Sequence, residues 1–128
     1  MSARHANAQL FNALIRTHHI TSKKKVARLK KAAATHDCYV LLRSGGCPGI
    51  MYCEGDETGV KDWVAVVQSL RYKDYSLAAR PAPVDANPRL PEYGRLFEVA
   101  HVKEFSVIMA ERGIVPWWRK AMGWPEPV

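Results

Sequence analysis

The chain has 128 residues and a formal net charge of +7, and its length suits one domain with a substantial hydrophobic core. No apolar run approaches the roughly 18 residues that a membrane span needs, and residues 1–9 lack the apolar stretch of a signal peptide. Three cysteines without paired C-x-x-C spacing argue against a disulfide framework and against a zinc site. We therefore expect an intracellular protein of a reducing compartment, with the nucleus as one option, and no membrane contact, metal or cofactor.

The positive charge is concentrated in one segment. Residues 16–43 contain eight basic residues and one acid, Asp37, whereas the rest of the chain has eleven basic and eleven acidic residues. Such a local excess is typical of a polyanion-binding surface. A solvated lysine-rich helix without a ligand is the alternative interpretation, because such helices are common.

The first half of the chain shows alternating strand and helix patterns. An apolar alternation predicts a strand over 10–16, and Thr21 or Ser22 can cap the helix that follows. Two short runs rich in strand formers, 38–43 and 49–55, are separated by glycines and a proline. These two runs should pair as an antiparallel hairpin.

The second half begins with the clearest amphipathic helix of the chain. Asp56 or Thr58 opens it, and apolar residues then recur at spacings of three and four. The elements predicted after it are a strand over 75–80, a proline-rich loop over 81–91, a strand or irregular segment over 94–100, a helix over 101–113 and a short aromatic helix over 114–124.

The order strand, helix, strand, strand, helix, strand predicts an α+β fold of the ferredoxin-like, split βαβ type. In that fold both helices cover one face of an antiparallel sheet. The expected organisation is a flexible N-terminus over 1–9, a core over 10–80, a loop over 81–91 and a helical appendage over 92–128 packed on the core. Alternation directs one set of strand residues towards the two helices: Phe11, Ala13, Ile15, Val40, Leu42, Met51, Cys53, Leu77 and Ala79.

Several separated motifs resemble one known family. A histidine pair precedes a lysine cluster, a glycine- and proline-containing hairpin leads into a strand ending in Glu-Gly, and EFSVIMAERGIVPWW follows near the end. The residues that carry the likeness are His18, His19, Lys23, Lys24, Lys25, Gly46, Pro48, Gly49, Glu54 and Gly55. The chain resembles the C-terminal domain family of the spliceosomal small nuclear ribonucleoprotein pre-mRNA-processing factor three, also found C-terminal to RWD domains. The resemblance implies a ferredoxin-like fold and, for the spliceosomal member, contact with single-stranded RNA.

The first predicted helix offers a candidate RNA-binding surface. Lys23, Lys24 and Lys25 lie at its N-terminal end, where a cation costs about 0.3–1 kcal/mol because that end of the helix dipole is positive. Free backbone N–H groups at such an end suit a phosphate. Arg28 and Lys31 extend the positive stripe along the helix, so a nucleic-acid backbone could follow it.

The sheet face opposite the two helices is a second candidate surface. Alternation places Arg16, His18, Arg43 and Tyr52 on that face. Aromatic side chains flanked by arginines on an open sheet are used by RNA-recognition modules to stack bases. The alternative is that the aromatic C-terminal helices cover the face, since their apolar groups must be buried somewhere.

A catalytic or metal-binding role finds little support in the sequence. His18 and His19 are adjacent, and adjacent residues of a strand point to opposite faces, so we expect structural histidines. Cys47 has no evident partner base that would make it a nucleophile. We therefore expect a non-enzymatic protein.

The sequence predicts an RNA-binding domain, for single-stranded RNA in a ribonucleoprotein or mRNA-processing context. The alternative is a non-catalytic protein-interaction module of an RWD-associated protein, docking through Trp117 and Trp118 of the aromatic tail or through the uncovered edge of the sheet. An affinity for oligonucleotides that falls steeply as salt rises would favour RNA binding. Loss of a protein partner on changing the two tryptophans would favour the interaction module.

Overall fold

The computed structural model of the protein describes residues 9–86 and 92–125. Most of the N-terminus expected to be flexible, and residues 87–91 of the expected proline-rich loop, fall outside those ranges. The elements in chain order are β1 (Phe11–Thr17), α1 (Lys23–Thr35), β2 (Tyr39–Arg43), β3 (Gly49–Gly55), α2 (Glu57–Ser69), β4 (Ser76–Pro83), β5 (Arg95–Val99), α3 (Val102–Glu111) and α4 (Val115–Met122).

One five-stranded sheet organises the chain, with the strand order β4-β1-β3-β2-β5. Strand β1 pairs antiparallel with β3 and β4, and β2 pairs antiparallel with β3. Strand β5 pairs parallel with β2, so the sheet is mixed where a purely antiparallel one was expected. The first four strands and two helices confirm the predicted α+β, ferredoxin-like arrangement with a C-terminal helical appendage.

Side-chain caps fix where the first two helices begin. The backbone N–H of Lys25 donates to Ser22 Oγ at 3.2 Å, so Ser22 is the N-cap of α1. The backbone N–H of Gly59 donates to Asp56 Oδ1 at 2.7 Å, which makes Asp56 the N-cap of α2. Each pairing satisfies a backbone donor that has no partner within its helix. Of the two cap candidates for each helix, the structure selects one.

Both faces of the sheet are covered. Helices α1 and α2 pack on one face, and the indole N–H of Trp63 ties them by donating to the carbonyl oxygen of Leu29 at 3.1 Å. Helices α3 and α4 pack on the other face through a second cluster that includes Phe105, Met109 and Trp118. The interpretation in which the appendage covers the sheet is therefore the correct one.

Strand β4 departs from the sequence prediction in two ways. It continues to Pro83, so residues 81–83 belong to a strand and not to the loop; an edge strand tolerates prolines because it needs no N–H donor on its outer side. The β1–β4 register also shifts near Leu14, and Ala79 consequently packs with the α3–α4 cluster instead of facing α1 and α2. Such an irregularity breaks simple two-residue alternation.

Within residues 9–86 and 92–125, no helix combines the length and apolar character required to cross a bilayer.

Candidate nucleic-acid interface

Helix α1 presents an unpaired row of cations to solvent. Its six basic residues face no acid in the same helix, and Lys24, Arg28 and Lys31 are all exposed. In the part of the chain that the structure describes, no α1 cation forms an ion pair with a carboxylate. The positive charge of this helix is therefore available to an external anion.

An open cleft of about 540 Å³ lies between the first turns of α1 and the end of α2. Its lining combines three cations with small or apolar groups: Ser22, Lys24, Lys25, Ala27, Arg28, Ser69 and Leu70. No carboxylate is among these residues. The Lys25 ammonium also lies 4.7 Å from the ring centre of Tyr72, a cation–π contact that holds this side chain at the cleft. The cleft thus concentrates three of the predicted phosphate contacts.

A second cleft, of about 370 Å³, lies on the other side of the α1 N-terminus and includes Lys23. Glu98 also lines it, and its carboxylate accepts a hydrogen bond from Ser44 Oγ at 2.9 Å. A phosphate placed here would face that negative charge. The cleft beside Lys24 is electrostatically the better anion site.

Lys31 extends the cationic row beyond the first cleft. Seven residues separate it from Lys24, which corresponds to about 10 Å along a helix that rises about 1.5 Å per residue. A stacked strand carries about one charge per 3.4 Å, so the row matches about three phosphates. The predicted stripe of Lys24, Arg28 and Lys31 is exposed along the length of α1.

The two predicted arginines outside α1 bond backbone carbonyl oxygens, Arg43 in two loops and Arg16 at the end of α4. The Arg43 guanidinium donates to the carbonyl oxygens of Ala100 and Pro48, each at 3.0 Å. The Arg16 guanidinium donates to the carbonyl oxygen of Met122 at 3.2 Å, on the face covered by α4. Neither side chain lines the cleft beside Lys24, so the structure does not unite the predicted residues in one surface.

The prediction that Tyr52 stacks on bases is wrong. Its side chain is fully buried, its hydroxyl donates to Glu54 Oε1 at 2.6 Å, and its ring meets that of Trp117 edge-to-face with centroids 5.8 Å apart. Burial raises the pKa of this phenol well above its usual value. Helices α3 and α4 occupy the space that a stacked base would need.

The aromatic tail is largely integrated into the second core. The Trp118 side chain is 1% exposed and stacks on Phe105 with ring centroids 5.5 Å apart. Trp117 is half-buried. The pair predicted to dock a protein therefore offers only part of one indole ring to solvent.

A buried polar network, missed by sequence reasoning, joins the sheet to the end of α3. Arg112 donates to Glu54 Oε2 at 2.6 Å, and both side chains are buried. The Tyr93 hydroxyl donates to the same carboxylate oxygen at 2.8 Å. The sequence signal that could have predicted this network is Glu54 in the otherwise apolar segment MYCEG, because a charge buried in a strand needs a partner of opposite charge.

His18 and His19 do not point to opposite faces, and the argument that separated them is wrong. Strand β1 ends at Thr17, so both histidines lie beyond it and strand alternation does not apply. Their ring centroids are 4.1 Å apart, and the ring of His18 also approaches the Cys47 thiol. The side chains lie at the end of the sheet from which α1 begins.

The fold and this surface define an α+β domain with an exposed cationic helix. No known family model matches the chain, and no curated protein matches it. Among solved structures it is similar to a bacterial light-regulated adenylyl cyclase, at 11% identity and a TM-score of 0.49. That match covers 88% of this chain but 35% of the cyclase chain, and at this TM-score it carries no argument about function.

Proposed function

We propose that the chain is an RNA-binding domain that holds the backbone of single-stranded RNA along α1, in a ribonucleoprotein or mRNA-processing context. The observation that supports this proposal is the row formed by Lys24, Arg28 and Lys31, exposed and without acidic partners among the described residues. The resemblance to the pre-mRNA-processing factor three C-terminal family adds the expectation of single-stranded RNA.

The proposed contacts are electrostatic and independent of base identity. Ammonium and guanidinium groups contact phosphate oxygens and release counterions from the RNA, so affinity falls as salt rises. Lys25 joins the row at the cleft beside Lys24. Because Tyr52 is buried and the sheet is covered, we expect weak preference for particular bases.

The protein-interaction alternative loses most of one of its two candidate docking surfaces, the aromatic tail, because Trp118 is buried in the fold. Changing that residue would damage the core, so the loss of a partner would not report on docking alone. Binding of RNA is therefore the function that the described surface supports better.

Salt dependence provides the quantitative test. Four phosphate contacts, from Lys24, Lys25, Arg28 and Lys31, predict a slope of log K against log salt of about −0.7 × 4, or about −2.8, for a single strand. Raising salt from about 50 to about 200 mM should then weaken binding about 50-fold. Fluorescence anisotropy with a labelled single-stranded oligonucleotide measures this directly.

A matched pair of variants distinguishes binding to a specific surface from a general effect of net charge on affinity. The K24E/R28E/K31E variant should lose most affinity and reduce the slope towards about −0.7, the value for one remaining contact. The R95E/K103E/K120E variant changes net charge equally at exposed positions outside α1 and should retain the steep slope. Equal losses in both variants would contradict a binding surface on α1. Tighter binding to a duplex of the same length would contradict the preference for single strands.

A further inference from the structure

Three potential metal ligands meet at the end of the sheet beside α1. The side chains of His18, His19 and Cys47 each offer one ligand atom, and these atoms all lie within 4.8 Å of one another. His18 is half-buried, whereas His19 and Cys47 are exposed. None of the three is needed for the cationic row proposed above.

Backbone hydrogen bonds hold the segments that carry these side chains. The N–H of His18 donates to the carbonyl oxygen of Lys73 at 2.9 Å, and the carbonyl oxygen of His18 accepts from the N–H of Gly49 at 3.2 Å. The first bond fixes the β1–α1 connection against the α2–β4 turn. The second fixes it against the β2–β3 hairpin that carries Cys47. The ligand-bearing loops are thus positioned by the fold.

The distances around His18 agree with those of a tetrahedral zinc centre. Bonds of about 2.0 Å to nitrogen and about 2.3 Å to sulfur place the two ligand atoms about 3.5 Å apart. His18 Nδ1 and Cys47 Sγ lie 3.8 Å apart. A nitrogen and a carboxylate oxygen on one zinc ion should lie about 3.3 Å apart, and His18 Nδ1 lies 3.4 Å from Asp74 Oδ2.

We propose that His18, His19, Cys47 and Asp74 form a zinc site. Two imidazoles, a thiolate and a carboxylate are ligands that Zn²⁺ accepts in tetrahedral geometry. On binding, the Cys47 thiol loses its proton to solvent and the thiolate forms the Zn–S bond, with no change in oxidation state. Asp74 lies outside the group of three, and its exposed side chain, paired with His18, turns towards the other ligands to complete the set.

The proposed site lies where three loops meet that are distant from one another in the sequence. Cys47 lies in the β2–β3 hairpin, and Asp74 lies in the α2–β4 turn with a left-handed backbone (φ 56°). Zinc bound there links both loops to the segment that enters α1. This inference stands independently of RNA binding, because its ligands lie outside the row of Lys24, Arg28 and Lys31.

Cobalt substitution tests the ligand set. Reduced, tag-free protein titrated with Co²⁺ should develop a thiolate-to-cobalt charge-transfer band and the intense visible bands of a tetrahedral centre. Competition with Zn²⁺ in the presence of a chromophoric chelator then gives the zinc affinity. We expect C47S to abolish the charge-transfer band although Cys38 and Cys53 remain, because both of those thiols are buried.

The remaining variants assign the other ligands. H18A and H19A should each lower zinc affinity at least tenfold. D74N should lower it less because Asp74 lies outside the group of three, and H101N should leave it unchanged because His101 is the N-cap of α3 and not a proposed ligand. Zinc should also slow the reaction of Cys47 with a thiol reagent. Absence of the tetrahedral cobalt spectrum in the wild-type protein, or its persistence in C47S, would overturn the proposal whatever the outcome of the RNA titration.

Discussion

Replacing Arg112 with methionine tests whether the buried ion pair holds α3 and α4 on the sheet. The guanidinium makes two hydrogen bonds to the Glu54 carboxylate, at 2.6 and 3.3 Å, and Arg112 and Glu54 are 1% and 0% exposed. Removing it leaves a buried carboxylate supported by two tyrosine hydroxyls, from Tyr52 and Tyr93. Breaking one partner of such a pair costs about 3–5 kcal/mol.

Urea unfolding followed by tryptophan fluorescence measures this cost. R112M should lower the free energy of unfolding by about 3–5 kcal/mol, a large share of the roughly 5–15 kcal/mol available to a typical domain. The E54Q/R112M double variant should recover at least about 2 kcal/mol, because the amide carries no charge, accepts from one tyrosine hydroxyl through its oxygen and donates its NH2 to the hydroxyl oxygen of the other. A loss below about 1 kcal/mol in R112M, or a double variant less stable than R112M, would refute this reasoning.

Three further predictions concern a thiol, a glycine and a phenol. A thiol reagent should modify Cys47 alone in the native protein and all three cysteines after unfolding, because the other two are buried. G45A should cost about 1–3 kcal/mol, since its Cβ would collide with the backbone carbonyl of Ala100. The nearest atom to a Cβ at Gly46 is in the Arg43 guanidinium at 3.2 Å, so G46A should cost less, and thermal unfolding compares the two variants. Burial, then a nearby carboxylate, raises the pKa of Tyr39 from 10.0 to about 12. Its neutral form is therefore favoured by folding, and its contribution to stability should hold below about pH 10 and fall by roughly 2–3 kcal/mol between pH 10 and 12. Urea titrations of the wild-type protein and Y39F at each pH separate this contribution from those of Tyr52 and Tyr72, whose pKa values burial also raises.

Local signals were sufficient to predict most of the fold. The caps at Ser22 and Asp56, the glycine-rich hairpin and the period of α2 all act over a few residues, and the structure confirms each of them. The parallel pairing of β5 with β2 was not predicted. That pairing joins residues more than fifty positions apart, and no local pattern encodes such a partner.

The candidate site was predictable only in part. Exposure of Lys24 and Arg28 follows from helical periodicity, which depends on local sequence. Burial of Tyr52 depends on where α4 packs, and strand alternation says which face a side chain occupies but not what covers that face. The proximity of His18 and His19 was missed because strand alternation was applied to them although they lie beyond both the predicted strand, 10–16, and the observed one, Phe11–Thr17.

The prolines of β4 have a consequence for how the protein behaves at high concentration. Pro81 and Pro83 lie in β4, which is an edge strand of the sheet formed by residues 9–86 and 92–125, and the outer side of an edge strand can pair with another molecule. A proline has no N–H to donate, so this edge lacks two of the hydrogen bonds that a strand of a second copy would need in order to pair with it. Exchanging both prolines for β-branched residues would turn a border that resists strand addition into a template for fibrous self-association.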